Sequence, residues 1–276
     1  PHAGGDPMRR MSVPVARDPR LRGDERVIFR IASSQDSRAC SRSPSLLTCV
    51  RKTERHVQTP LALLAHPKET TPMDINLSGT DLTRAKPEQW KTVADITAEA
   101  FATDPVNQYV FGKTHSIRSM FRVMAREMYT PSGECYLHSA GGATMWMPPG
   151  IDAAPSRSGE LAFALGQLRH GTPGAIPRGL RLSQLMAEWH PKDPHYYLFT
   201  IGTTAAARGN GVGKRLLAPV LAACDAAGLP GYLENSNPAN SGFYAAHGFE
   251  RMGVFNIDGE DSPVMEPMWR VPLTPA

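Results

Sequence analysis

Cysteine is scarce, with four residues in 276, Cys40, Cys49, Cys135 and Cys224. So few thiols, so widely spaced, exclude a disulfide-stapled secreted scaffold, and no Cys/His cluster has zinc-ligand spacing, so no metal is expected. A reducing cytoplasm is the expected compartment. Long apolar runs are missing too. None approaches the ~18 residues of a membrane helix, so no membrane partner is expected. The first residues lack the apolar core of roughly 7–15 residues that a secretory signal carries. Arg9-Arg10 is followed by polar and charged residues, unlike a twin-arginine signal. No internal repeat is found. What is present is enough apolar residue, 41%, to fill a core, which excludes wholesale disorder.

The net charge of +4 is unevenly placed. Residues 1–72 hold 13 basic and 7 acidic side chains, whereas residues 73–276 hold 17 and 19. The basicity that would suggest nucleic acid therefore belongs to the first 72 residues, where aromatics do not alternate with arginines as in a single-strand binder. No nucleic-acid partner is expected for the remainder. Apolar patches at residues 27–31 and 61–65 are too small to bury a core, so residues 1–72 read as a disordered basic extension. Three roles compete for it: a tail for anionic surfaces, a targeting segment, or sequence that is not native, with Met73 as the start. The third is preferred. Residues 73–276 then form a single domain, in keeping with roughly 100–200 residues per domain.

From Met73 onward the patterning is mixed α/β. Trp90, Val93, Ala94, Thr97 and Phe101 recur at helical spacing and predict a helix over residues 88–102; Ile117, Phe121, Met124, Ala125 and Met128 mark a second. Residues 134–138 and 143–147 predict two strands around a Gly141-Gly142 break. Helices follow at 160–170 and 180–189, split by a turn-rich segment at 171–177. A strand at 196–201, a helix at 213–227, a strand at 231–234 and a short helix at 241–247 complete the pattern, with further strands after Phe249.

The richest chemistry lies between that strand at 196–201 and the helix after it: Arg208-Gly209-Asn210-Gly211-Val212-Gly213-Lys214. Glycines free several backbone N–H groups to turn toward one anion, and the helix presents its positive dipole end to the same place. Such a loop suits a phosphate or pyrophosphate, with Arg208 and Lys214 or Arg215 available to add charge; an ordinary glycine-rich turn is the plain alternative. The dinucleotide fingerprint G-x-G-x-x-G fails, because Lys214 or Leu216 stands at the third glycine. The nucleotide loop G-x-x-x-x-G-K-[ST] fails at Arg208 and Arg215. The pattern [QR]-x-x-G-x-[GA] is met, by Arg208, Gly211 and Gly213.

That pattern is the coenzyme-A pyrophosphate signature of the GNAT acetyltransferase superfamily, and about 60 residues resemble the family in order: strand, loop, helix, second strand, then Asn240-x-x-Phe243-Tyr244 and Gly248-Phe249. The branch containing puromycin N-acetyltransferase looks most similar, through His190-Pro191-Lys192-Asp193-Pro194, Leu233-Glu234, Ser236 to Asn240, and Pro219 inside the helix. Likeness over residues 73–150 is thinner, chiefly Ala100-Phe101-x-x-Asp104-Pro105 and Trp146-x-Pro148. One departure is Ala205-Ala206-Ala207, where family members often carry proline.

The resemblance implies a central mixed sheet with two splayed parallel strands, flanked by helices. It implies acetyl-CoA as co-substrate and direct transfer of its acetyl group to a primary amine, expected to be that of a small molecule, by a monomer or homodimer. Ile201, Gly202 and Thr203 would take the pantetheine arm; Arg208, Gly209, Asn210, Gly211, Val212, Gly213 and Lys214 the pyrophosphate. Asn240 would hydrogen-bond the pantetheine or cap a helix. Tyr244 would protonate the departing thiolate, or pack as a core tyrosine. Glu234 could orient or deprotonate the amine, or form a structural ion pair. His190, His195 and His247 read as structural, Asp225 as a helix polar face and Cys224 as core filler. The acceptor pocket is expected from the loop at residues 104–111, from Trp146 and from the helices at residues 158–189. A protein-lysine acceptor, and a regulatory module that holds acyl-CoA without turnover, are the alternatives.

Overall fold

A computed structural model describes residues 73–273. The expected extension at 1–72 lies outside the described residues. Strands β1 (Leu82–Arg84), β2 (Glu134–His138), β3 (Gly142–Met147), β4 (Tyr196–Thr203), β5 (Gly231–Asn235), β6 (Glu250–Arg251), β7 (Phe255–Asn256) and β8 (Val264–Arg270) form one mixed sheet. Its order is β1-β2-β3-β4-β5-β8-β6, with β7 paired to β8. Every pairing is antiparallel except β4 with β5.

Successive strand residues point to opposite faces, and each face carries its own helices. Tyr197, Tyr232, Met145 and Leu137 face a core shared with α1 (Trp90–Ala100) and α3 (Thr114–Met124). Tyr196, Leu198, Leu233 and Trp146 face a second core filled by Leu216, Leu217, Val220 and Cys224 of α6 (Val212–Ala227). Helices α2 (Pro105–Phe111), α4 (Arg157–His170) and α5 (Ala175–Trp189) add to the first side, and α7 (Ser241–Ala245) to the second. Among the described residues no helix is long and apolar enough to cross a membrane.

Several expectations are corrected. Residues 105–111, expected as a loop, are helical: the Asp104 side chain caps the Asn107 N–H and Pro105 opens the helix, a strong starting pair. Helix α5 begins inside the supposed turn at 171–177, because Pro177 falls in its first turn, where its missing N–H costs no intrahelical bond. Helix α3 continues as a π turn, Ala125–Tyr129. Pro219 lies inside α6, Val212–Ala227, where the sequence places it. Trp146 is fully buried against Tyr196 on the α6 face, so it does not line the pocket assigned to it.

Candidate active site

Strands β4 and β5 share three register pairs, Tyr196↔Gly231, Tyr197↔Tyr232 and Leu198↔Leu233. Beyond Leu198 they part. A bulge drives them apart: Met145 faces Thr200 while Trp146 faces Leu198, leaving Phe199 as an extra residue on β4, and a bulge bends the strand that carries it. β5 meanwhile stays paired with β8 through Asn235↔Glu266. Among the described residues the β5-facing edge of β4 from Phe199 to Thr203 is therefore without a strand partner and offers backbone polar groups to the split.

A cavity of about 500 Å³ occupies this split. Ile201, Gly202, Thr203, Arg208, Asn240, Tyr244 and Glu234 all line it. Phe111 of α2, Phe163 of α4, and Leu182 and Met186 of α5 supply apolar wall, and among the described residues the lining carboxylates are Asp104 and Glu234.

The loop at residues 208–213 sits at the N-terminus of the 16-residue α6. Gly209 and Gly211 have φ of 77° and 71°, the left-handed region that suits glycine. Arg208, Gly209, Asn210 and Lys214 are exposed, and Val212 is buried in the core. Arg215 braces the loop: its Nη2 donates to the Asn210 carbonyl at 2.8 Å and its Nε to His138 Nε2 at 3.0 Å. The cradle fits an anionic pyrophosphate through backbone N–H groups, the helix end and Arg208. The alanine run departs from proline for a local reason. Ala205 donates its N–H to Glu99 Oε1 at 2.8 Å, a bond that proline cannot make.

Tyr244 packs edge-on against Phe243 and Phe249, and burial, then the Asp104 carboxylate, push its hydroxyl above the ordinary tyrosine range. It stays protonated at neutral pH. Asn240 stands at the N-cap of α7, yet its side chain makes no capping bond and lines the cavity. The helix-capping reading of Asn240 is thereby removed.

The Glu234 side chain is 1% exposed, and its Oε1 lies 3.7 Å from His190 Nδ1 without a hydrogen-bond partner. Among the described residues no Lys or Arg pairs with it, so the expected ion-pair alternative reduces to His190. Burial first, and then the charge of the adjacent Glu234 carboxylate, push the Tyr197 and Tyr232 hydroxyls up. His247 Nδ1 is held by the Phe243 carbonyl at 2.7 Å, and His247 does not line the cavity. Cys224 is fully buried, its thiol pushed up to about 12 by burial, which suits core filler.

One cavity-lining position escaped the sequence, and another gained a partner that the sequence did not show. The Tyr129 hydroxyl lines the cavity buried and without a partner, carried there by the π turn, whose register helical periodicity does not anticipate. Asp104 ties α2 to the chain leaving β5: its Oδ1 accepts from the Asn107 N–H at 2.9 Å and its Oδ2 from Ser236 Oγ at 2.6 Å. An Asp-Pro pair ahead of an apolar segment was the signal for it. Among the described residues no group of three or more His, Cys, Asp or Glu could hold a metal ion.

Residues 182–251 match the acetyltransferase (GNAT) domain family. An uncharacterized N-acetyltransferase of Schizosaccharomyces pombe is 26% identical over 210 residues, covering 69% of this chain and 83% of that protein. Among solved structures, one described as histone acetyltransferase HPA2 and related acetyltransferase, from Corynebacterium glutamicum, has the same fold. Its TM-score is 0.50 at 22% identity, over 71% of this chain and 97% of its own. The loop, the parted parallel strands and these likenesses agree with one another: residues 182–251 match a GNAT acetyltransferase domain, and the chain is similar to N-acetyltransferases.

Proposed function

We propose that this cleft moves an acetyl group from acetyl-CoA to the primary amine of a small molecule with a partly apolar body. One observation carries the reading. The pyrophosphate-loop residue Arg208, residues of the free edge of β4, Tyr244 and the buried Glu234 all line a single cavity. Aromatic and aliphatic side chains from α2, α4 and α5 cover that cavity, which favours a compact acceptor over a protein segment.

Each group has a task. The cradle at residues 208–213 binds the pyrophosphate. Backbone groups at Ile201–Thr203 hold the pantetheine arm, with Asn240, and polarise the thioester carbonyl as negative charge grows on its oxygen. In another enzyme one such donor is worth about 3–4 kcal/mol. Glu234 draws the acceptor's ammonium into an otherwise apolar wall. Once neutral, the nitrogen attacks the carbonyl carbon; the new C–N bond replaces the C–S bond, and Tyr244 gives its proton to the leaving sulfur and recovers one from the attacking nitrogen.

Titration calorimetry with acetyl-CoA, on the wild type and on an Arg208→Ala, Gly211→Ala variant, tests the first half. Saturable binding by the wild type, weakened about tenfold or more in the variant, is expected from loss of a charge and of the left-handed turn. An amine panel then tests the second half. No binding by folded wild-type protein overturns the reading.

A further inference from the structure

Behind Glu234 the structure holds a line of groups: Glu234, His190, His195 and the Asp193 carbonyl. His195 Nδ1 is 2.7 Å from the Asp193 oxygen, His195 Nε2 is 3.1 Å from His190 Nε2, and His190 Nδ1 is 3.7 Å from Glu234 Oε1. Hydrogen placement along this line follows from elementary bonding. A carbonyl only accepts, so His195 Nδ1 carries a hydrogen. Burial lowers the His195 pKa to about 4 and keeps the ring neutral, so its Nε2 is a lone pair. His190 Nε2 must then be the donor. A neutral His190 therefore has its remaining lone pair, on Nδ1, turned toward the unpartnered carboxylate oxygen of Glu234. Two acceptors face each other there, an arrangement that calls for a donor between or beside them.

His190 also lines the cavity, as does Tyr129, whose hydroxyl is buried and unpartnered among the described residues. Its ring is clamped edge-on between Tyr197 and Tyr232, each with centroids 5.0 Å away. We propose that His190 is the base that deprotonates the acceptor amine, and that His195 is a positioning residue holding the tautomer that leaves His190 Nδ1 free. The proposal rests on the acetyl-transfer reading above. Glu234 receives the alkylammonium, and one of its protons passes to His190 Nδ1 as the N–H bond breaks. The imidazolium so formed is stabilised by Glu234 and later releases the proton to water. The second proton lost by the amine is the one that Tyr244 recovers after protonating the thiolate, so amide, thiol and one free proton balance the reaction. The line does not conduct further, because the Asp193 carbonyl cannot take a proton.

The groups facing His190 are Glu234 and Tyr232 from β5, Tyr197 from β4 and His195 ahead of it; Tyr129 and Tyr197 face Glu234 in turn. Burial keeps all three tyrosines protonated, so none of them can take the amine's proton.

Two measurements on the full chain test the proposal. Nitrogen-15 spectra of the wild-type histidine rings should show His190 as the Nε2–H tautomer at neutral pH, whatever the substrate; an Nδ1–H tautomer overturns the proposal. For the best amine of the panel, kcat/KM should rise with pH through an acid limb. His190→Asn should lose that limb and about a hundredfold or more in rate, with acetyl-CoA affinity unchanged. His195→Phe should release the tautomer in the spectrum and lower kcat. A His190→Asn enzyme that keeps the wild-type limb overturns the relay and leaves acetyl transfer standing. Tight acetyl-CoA binding with no turnover of any amine overturns both.

Discussion

Tyr244 illustrates how much a single side chain depends on company. The residue lines the cavity, and its ring is fixed by Phe243 and Phe249. Tyr244→Phe keeps the ring and removes only the proton donor. In the proposed reaction kcat should fall about a hundredfold or more, while calorimetry finds acetyl-CoA affinity unchanged; an undiminished kcat removes Tyr244 from the acid role. The sequence context Asn240-x-x-Phe-Tyr made this tyrosine legible, and Leu233-Glu234 at a strand end did the same for the carboxylate. The histidines were not legible. His190 and His195 lie five residues apart across a helix end and a turn, and only the folded chain brings their Nε2 atoms to 3.1 Å. Tyr129 had no signal either, since its place depends on a π turn.

At the scale of elements, the strand–loop–helix from β4 to α6 was readable because glycines, a helix start and apolar alternation all point the same way there. Helix α2 and the early start of α5 were hidden by prolines, which mark turns as readily as first helical turns. The parting of β4 from β5 was legible only through resemblance; its immediate cause, the extra residue Phe199, is a matter of register with β3 and has no signature along one strand. Helix α1 lies on β4 at a glycine. A Cβ at Gly202 would come 2.6 Å from the Ala100 Cβ, so any side chain there must push the helix off the strand. Gly202→Val should therefore lower stability by about 1–3 kcal/mol. The check is urea unfolding, where the midpoint should move without a change in slope.

Across the whole molecule, the described C-terminal end is tied back to α6. Arg270 Nη1 and Nη2 donate to Asp225 Oδ1 and Oδ2 at 2.7 and 2.8 Å, and the Leu273 N–H donates to Oδ1 at 2.7 Å. Asp225 is thus a clamp rather than a mere polar face. The Arg270 hydrogen bonds hold its carboxyl below the ordinary aspartate range, against an opposing contribution from burial. A depressed folded pKa stabilises above the unfolded value, near ~3.9, and that stability disappears as pH falls through the folded value. Asp225→Asn should cost about 1.5–3 kcal/mol at neutral pH. The gap from wild type should close as pH drops below about 4, as followed by denaturant unfolding across pH. A gap independent of pH would assign the loss to packing. The free edge of β4 carries a different kind of consequence. The polar groups it offers the cleft belong to the main chain, so exchanging side chains between Phe199 and Thr203 alters shape and bulk but deletes no donor. Only proline can strike out an N–H there. In the proposed reaction, chemistry lodged in the peptide backbone leaves wide latitude to vary the lining of the cavity, and so the acceptors it admits, while the means of polarising the thioester stays unchanged.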